Sequence, residues 1–589
     1  MTDVVDLVRR SLADDTAAEF RGRVAEQAAA IREGIAAGRF DNEDFAVGLE
    51  VEVYAINREP EPIPEPAEAD DEEADALDDE DDLLEQEPAD DLAGGGGGAW
   101  DGSLEPPPED EGEDDEPEIP EPYMDPDDWE GRLVALPASI FDGPAAKELG
   151  LHNAEINTEP NSYDAAGIEV QTTSIEMRLK KAREAAAADD KELVLDAMWT
   201  IPPEGGANAY FSDVDERDGV VMARNMRQAP RYVAIENDAL RQAGGEIEFS
   251  VPGADHVFPS ILFESLTSSI QPHLQIPSTE TFPDYYNAAI RTLGPILALT
   301  VNSPFLPVDL YNDVDDPYVL LDDTHHELRI AAFEQSVNTS PNPKVRVPRD
   351  IDSPADVVDR VVEDDTFAPF LREWIHDDDR EDFADAHWEF DHKRGTYWRW
   401  LRCVVGGDPV EDAGDEDSLR IEYRPIPTQP TPKDVIAAQT VTAGLIRGLV
   451  EADHPLVELP WQEAERSFYS AARDGLDADL AWVTADGQRT TDHEQIYDEI
   501  FEYARLGLAE ADIGDRRIDE FIAPLEDRWE ARQTPSGWKI DTVRDHLDDG
   551  LSLDEAIPEM QREYFTLSHE EQRFADWLED DEDDFTLEL

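Results

Sequence analysis

Residues 45–56 read FAVGLEVEVYAI, and the fold turns on this stretch. Val47, Leu49, Val51 and Val53 fall on alternate positions, with Glu50 and Glu52 between them, which is the two-residue period of a strand with one face in a core. Glu50 and Glu52 then point the same way. A carboxylate inside an otherwise apolar strand is costly unless a cation or a hydrogen-bond donor compensates it. The two acids are therefore the informative residues of the strand.

Upstream, Val4, Val5, Leu7, Val8, Val24, Ala28 and Ile31 recur at helical spacing, so residues 1–40 read as two packed helices. Downstream, residues 59–130 are dense in Asp, Glu and Pro and broken by Gly94–Gly98. So little apolar content cannot offset chain entropy, and the segment reads as a disordered acidic insertion. Order is expected to resume near Leu133. AEINTEP (154–160) reads as a second acidic strand, followed by a helix over 165–187. Further strands are expected at 194–200, 245–251, 268–276 and 419–427, with a helix over 284–299. DVIAAQTVTAGLIRGLV, AERSFYSAARDGL and EQIYDEIFEYARLGL then announce a mostly helical C-terminal part. The resulting division is a catalytic domain of 41–58 plus 131–460, a helical region of 461–575 packed on it, and an acidic tail of 576–589. No internal repeat is present.

The bulk properties narrow the function. With 142 acidic against 47 basic residues, the net charge of −95 is spread along all 589 residues, as suits a protein kept soluble in concentrated salt that screens its own repulsion. Twelve Trp and 40% hydrophobic residues favour a folded chain over a disordered acidic one. No basic face is offered to phosphates, so nucleic acid is not an expected partner. Cys403 is the single cysteine, which excludes an intrachain disulfide and a Cys-based zinc site. The N-terminus lacks the apolar core of a signal peptide, and no apolar run approaches the roughly 20 residues of a membrane span. The expected compartment is cytoplasm.

Glu50, Glu52, Glu155 and Glu422 each interrupt a strand pattern, and hard oxygen ligands of this kind are what Mg²⁺ takes alongside nucleotide phosphates. Arg420 and Arg424 bracket Glu422 at a spacing of two, so all three share one strand face. The plainer alternative for any one of these acids is the wet face of a half-exposed strand in a salt-adapted protein. Trp398 and Trp400 read as core residues in preference to a stacking platform.

The order of motifs resembles the glutamate–cysteine ligase family and its carboxylate–amine ligase relatives. GLEVE (48–52) is similar to the family's G-x-E-x-E strand. AEINTEP resembles its E-x-x-T-x-P motif, with Glu155 in the metal-ligand position and Glu148 a further acidic ligand seven residues earlier. SIQPHLQI (269–276) places Gln271 and His273 where the family carries a paired H-x-H or Q-x-N. VNSPF (301–305) resembles A-N-S-P-F and is followed by Arg329. RIEYRP (420–425) matches R-x-E-x-R, and AARDGLDADL (471–480) resembles a helix–loop near the family's end. Where many members have Gly-x-His-Pro, this chain reads MWTIPPEGG (198–206), without the His.

The resemblance implies an α+β fold, a curved antiparallel sheet forming a funnel with flanking helices, as in glutamine synthetase-like ligases. It implies an ATP- and Mg²⁺-dependent ligase that activates a carboxylate as an acyl phosphate and joins it to an amine, glutamate and cysteine being favoured among small-molecule substrates. Glu50, Glu52, Glu148, Glu155 and Glu422 would hold metal. Arg420 and Arg424 would face the triphosphate, Gln271 and His273 would line the site, His273 being otherwise a hydrogen-bonded structural residue, and Arg329 would grip a substrate carboxylate or else close a surface salt bridge. The sheet is expected to supply every metal-binding Glu. Three rivals stand beside this reading: a ligase of the same fold with other substrates, a non-catalytic relative serving as a binding or scaffolding protein, and an unrelated fold in which the motif order is accidental. Oligomeric state is not legible.

Overall fold

The computed structural model describes residues 4–57, 130–143, 145–375 and 383–578. The acidic insertion therefore lies outside the described residues except for Glu130, and so does the tail beyond Leu578.

Eight strands form one antiparallel sheet: β1 (Ala46–Asn57), β2 (Ala145–Lys147), β3 (Asn153–Asn157), β4 (Asn161–Ser162), β5 (Lys191–Val194), β6 (Ile270–Ile276), β7 (Leu401–Gly406) and β8 (Ser418–Tyr423). Their order is β7-β8-β6-β1-β3-β2, with β4 and β5 also pairing to β1, and the sheet curls into a half-barrel. The fold is thus the expected α+β one. The stretch 45–56 forms the central strand, and β1 receives four partners along its two edges.

Strand alternation sorts side chains between two faces. Val47, Leu49, Val51, Val53, Ala154, Ile156, Ile270, Leu274, Leu401, Leu419 and Ile421 enter one continuous apolar core. Glu50, Glu52, Glu155, Gln271, His273, Arg402 and Glu422 are left for the concave face. Helices Ala165–Ala187, Phe282–Thr300, Pro432–Glu451 and His493–Glu510 cover the apolar side and share that core. Glycine permits the closest of these approaches: a Cβ on Gly448 would lie 1.9 Å from the carbonyl oxygen of Tyr503.

The two N-terminal helices are Val4–Ser11 and Asp14–Ala36, and the helix expected over 165–187 has those bounds. The expected strand at 194–200 is corrected to Lys191–Val194. Its continuation turns away because Asp196 accepts from its own next amide (2.7 Å) and is bound by Lys539 Nζ at 2.6 Å and Gln561 Nε2 at 2.8 Å. Lys539 and Asp196 are fully buried, so this pair and the helices Pro535–Asp548 and Leu553–Glu570 behind it fasten the C-terminal end to the rim of the sheet. Among the described residues no helix is long and apolar enough to cross a membrane.

Candidate active site on the concave face

Register brings the acids together. Across β1, β3, β6, β7 and β8, Glu52 sits opposite Glu155, Glu50 opposite both Asn157 and Gln271, His273 opposite Glu422, and Glu422 opposite Arg402. Two trios result. In one, ligand atoms of Glu50, His273 and Glu422 lie within 4.8 Å of one another; in the other, those of Glu52, Glu148 and Glu155 do. Glu50 and Glu52 share a strand face yet serve different trios. Glu148 is the exception to the expectation that the sheet supplies every such acid, since it lies just past the end of β2.

The trios differ in electrostatics. Glu422 receives Arg402 Nε at 2.5 Å and also Arg424 Nη1, which at the same time reaches Gln271. Burial opposes its charge, but the two guanidiniums outweigh that and hold the Glu422 carboxyl well below the usual range. Burial likewise opposes Glu50, and His273 and Arg402 bring it down. His273 Nε2 lies 3.2 Å from Glu50 Oε1 but without the alignment of a hydrogen bond, so this buried ring nitrogen has no hydrogen-bond partner.

Among the described residues no arginine is bonded to the second trio. Glu52 accepts from Ser269 N at 2.6 Å and Gln271 Nε2 at 3.2 Å, and Glu155 accepts from Asn157 Nδ2 at 2.6 Å. Burial, then the charge of Glu264, pushes the Glu52 carboxyl up to about 7. Burial and Glu52 push Glu148 to about 7, and burial with Glu50 and Glu148 puts Glu155 well above the usual range. Four acids crowd a half-buried space with too little positive charge. Such a donor set of carboxylate oxygens, with an orphaned imidazole nitrogen close by, fits a hard divalent cation.

Arg420 feels the charges of Glu50 and Glu422, and its buried Nε has no hydrogen-bond partner. Arg329 is buried, donates to Glu327 (3.0 Å) and to the carbonyl of Pro425, and its charge is felt by Glu52 and Glu264. Asn302 and Ser303 belong to the scaffold: the Asn302 amide and Ser303 hydroxyl donate to Glu327, and Asn302 Nδ2 donates to Thr428 O and Tyr564 Oη. Trp400 lies in the core between Phe333 and Phe468, donating to Glu334, and Trp398 packs against Phe333 and Phe367.

Sequence reasoning passed over Arg402 and Glu264. Arg402 interrupts the apolar strand LRCVVG as Glu422 interrupts its own, so the same rule applied to cations finds it. Glu264 is an acid in the apolar run ILFESL, on a short 3₁₀ turn at Leu262–Leu266. Burial and Glu148 push its carboxyl up to about 8.

Solved structures similar to this chain include glutamate–cysteine ligase from Francisella tularensis in complex with AMP, at 12% identity and a TM-score of 0.43 over 91% of each chain. A bifunctional glutathione synthetase from Pasteurella multocida is similar at 11% identity and a TM-score of 0.44, covering 92% of this chain and 55% of that one. No curated protein matches. Residues 130–567 match the family described as glutamate-cysteine ligase family 2. That span begins beyond β1, so Glu50 and Glu52 stand outside the match and join the site through strand pairing. With most of its length matched and its acids converging on one concave face, the chain belongs to glutamate–cysteine ligase family 2.

Proposed function

We propose that this protein is an ATP- and Mg²⁺-dependent carboxylate–amine ligase that joins the side-chain carboxylate of glutamate to the amine of cysteine. The observation that carries the reading is the pair of acid trios on one concave face, the first neutralised by arginines and the second left short of positive charge. Glu50, His273 and Glu422 would hold one divalent cation, and Glu52, Glu148 and Glu155 another. When bound, such cations neutralise triphosphate oxygens and hold them for in-line transfer.

The chain's own groups do the positioning. Arg402 and Arg424 fix Glu422 from two sides, which keeps it charged and sets its direction. Gln271 links the trios, accepting from Arg424 and donating to Glu52. Arg420 and Arg424 would face the transferring phosphoryl group, and Arg329, tied to Glu327 and the Pro425 carbonyl, would lend its charge to the substrate side near Glu52 and Glu264. The substrate carboxylate attacks the γ-phosphorus and ADP leaves; the amine then attacks the acyl carbon, expels phosphate and loses a proton, leaving an amide. We assign this work to a unit of 41–58 and 131–460, with 461–575 as a supporting helical region.

A second reading keeps the fold and chemistry with other substrates, and segment 198–206 favours it. In place of the family's His-containing turn it carries Trp199, buried and donating to Gly131 O at 2.7 Å, beside the Asp196–Lys539 pair. The test is ADP release in molar KCl across a panel of amino-acid pairs. The first reading expects turnover that requires glutamate and cysteine together; turnover with another pair selects the second, and none with any pair removes both.

A further inference from the structure

Acids outnumber bases in this chain by 142 to 47, so several arginines without an acidic partner gathered in one place run against its charge. Three of them surround a single cavity of about 220 Å³. The wall is built from the segment 342–349, the helix Asp356–Glu363 with the residues after it, and the lead into β7 at Tyr397 and Arg399. These segments are held together by a parallel bridge between Arg346 and Arg399.

The acids that line the cavity are already engaged. Asp364 takes both Lys344 Nζ and Arg399 Nη2, the latter at 2.7 Å. Asp365 accepts from Asn342 Nδ2 at 3.1 Å and Ser340 Oγ at 3.5 Å. Arg360 finds only the carbonyl of Asp350 (3.1 Å), because the Asp350 carboxylate is bound by Arg291. Arg349 is stacked on Trp461, its guanidinium carbon 3.3 Å from the ring centroid. Arg346 lies beside Arg399 and Arg349, and both lower its proton affinity after burial does. Glu363 is exposed at the rim, and Glu465 on the helix Trp461–Asp474 is near enough to feel Arg349 and Arg346 without bonding to either. Among the described residues Arg346, Arg349 and Arg360 therefore have no ion-pair partner.

Guanidiniums arriving from two segments, Arg346 and Arg349 from 342–349 and Arg360 from the helix, around so small a space suit an ion that accepts hydrogen bonds in several directions. A tetrahedral oxyanion does this, whereas a planar carboxylate is satisfied by one fork. The volume is below the roughly 300–1,000 Å³ of pockets for drug-sized ligands, so the occupant is small. We propose that this cavity binds a phosphate-class oxyanion, either free phosphate or the phosphoryl group of a small metabolite. The site shares no residue with either acid trio.

Titration calorimetry in molar KCl, using inorganic phosphate in one arm and glycerol phosphate in the other, tests it. Saturable binding is expected in at least one arm, and the stronger arm identifies the source. Arg346→Gln and Arg349→Gln, both at exposed side chains, are each expected to weaken binding about tenfold, the loss of one charge-assisted hydrogen bond. The double variant should fall below detection while its melting temperature stays near wild type. Absence of saturation with both ligands, or undiminished binding by a folded double variant, overturns the proposal.

Discussion

Replacing Glu52 and Glu422 by glutamine should have opposite effects on stability, although both acids sit in the same half-barrel. Glu422 is buried between Arg402 and Arg424, which hold its charge. Removing that charge leaves two buried guanidiniums uncompensated, at a cost of about 3–5 kcal/mol. Glu52 is crowded by other acids, and its carboxyl stands at about 7 against an ordinary 4.5. That difference corresponds to about 3 kcal/mol of disfavoured charge at alkaline pH. Because one repulsion is shared among Glu52, Glu148, Glu155 and Glu264, a single substitution should recover about 1–2 kcal/mol of it.

The sign with pH follows. A carboxyl raised in the folded state contributes stability that is fully present below its unfolded value and lost as pH rises through its folded value. The metal-free protein should therefore weaken between about pH 5 and about pH 8, and Glu52→Gln should weaken less over that window. Added Mg²⁺ must displace those protons, so its stabilisation of the wild type should grow over the same window and be much reduced in Glu52→Gln. Melts in molar KCl, with chelator or with Mg²⁺ at several pH values, read all of this. The reasoning fails if metal-free Glu52→Gln melts as far below wild type as Glu422→Gln does, or if it keeps the full Mg²⁺ effect.

Lys539→Met strands the buried Asp196 carboxylate and should cost about 3–5 kcal/mol in denaturant unfolding, showing that the C-terminal helices are integral to the fold. Gly448→Ala drives a methyl into the Tyr503 carbonyl and should lower stability by about 1–3 kcal/mol, measured the same way. His273→Ala removes the buried imidazole that helps keep Glu50 charged, so melting without metal should fall modestly, while Mg²⁺-dependent ADP formation should fall at least about tenfold.

Much of this was legible in FAVGLEVEVYAI. The two-residue period declares the strand, the acids within it declare a face that needs compensation, and both statements hold for β1 and β8. Helix bounds such as 165–187 were legible as well, because the helix opens with Asp164 capping Ala166 and Gly167. What could not be read is which acid meets which. Glu50 and Glu52 are two residues apart yet enter different trios, a result of register with strands distant in sequence. Arg402 and Glu264 escaped notice because a single charge in an apolar run is informative only beside its partner. The strand end at Val194 was hidden for the same reason, since the lysine that draws Asp196 away lies more than three hundred residues downstream.

The most direct test of the central claim is an anomalous difference map from crystals soaked in Mn²⁺ with a non-hydrolysable ATP analogue. The account predicts two peaks on the concave face, one among Glu50, His273 and Glu422 and one among Glu52, Glu148 and Glu155, with the analogue's phosphates against them. An ordered analogue with no peak at either trio would contradict it.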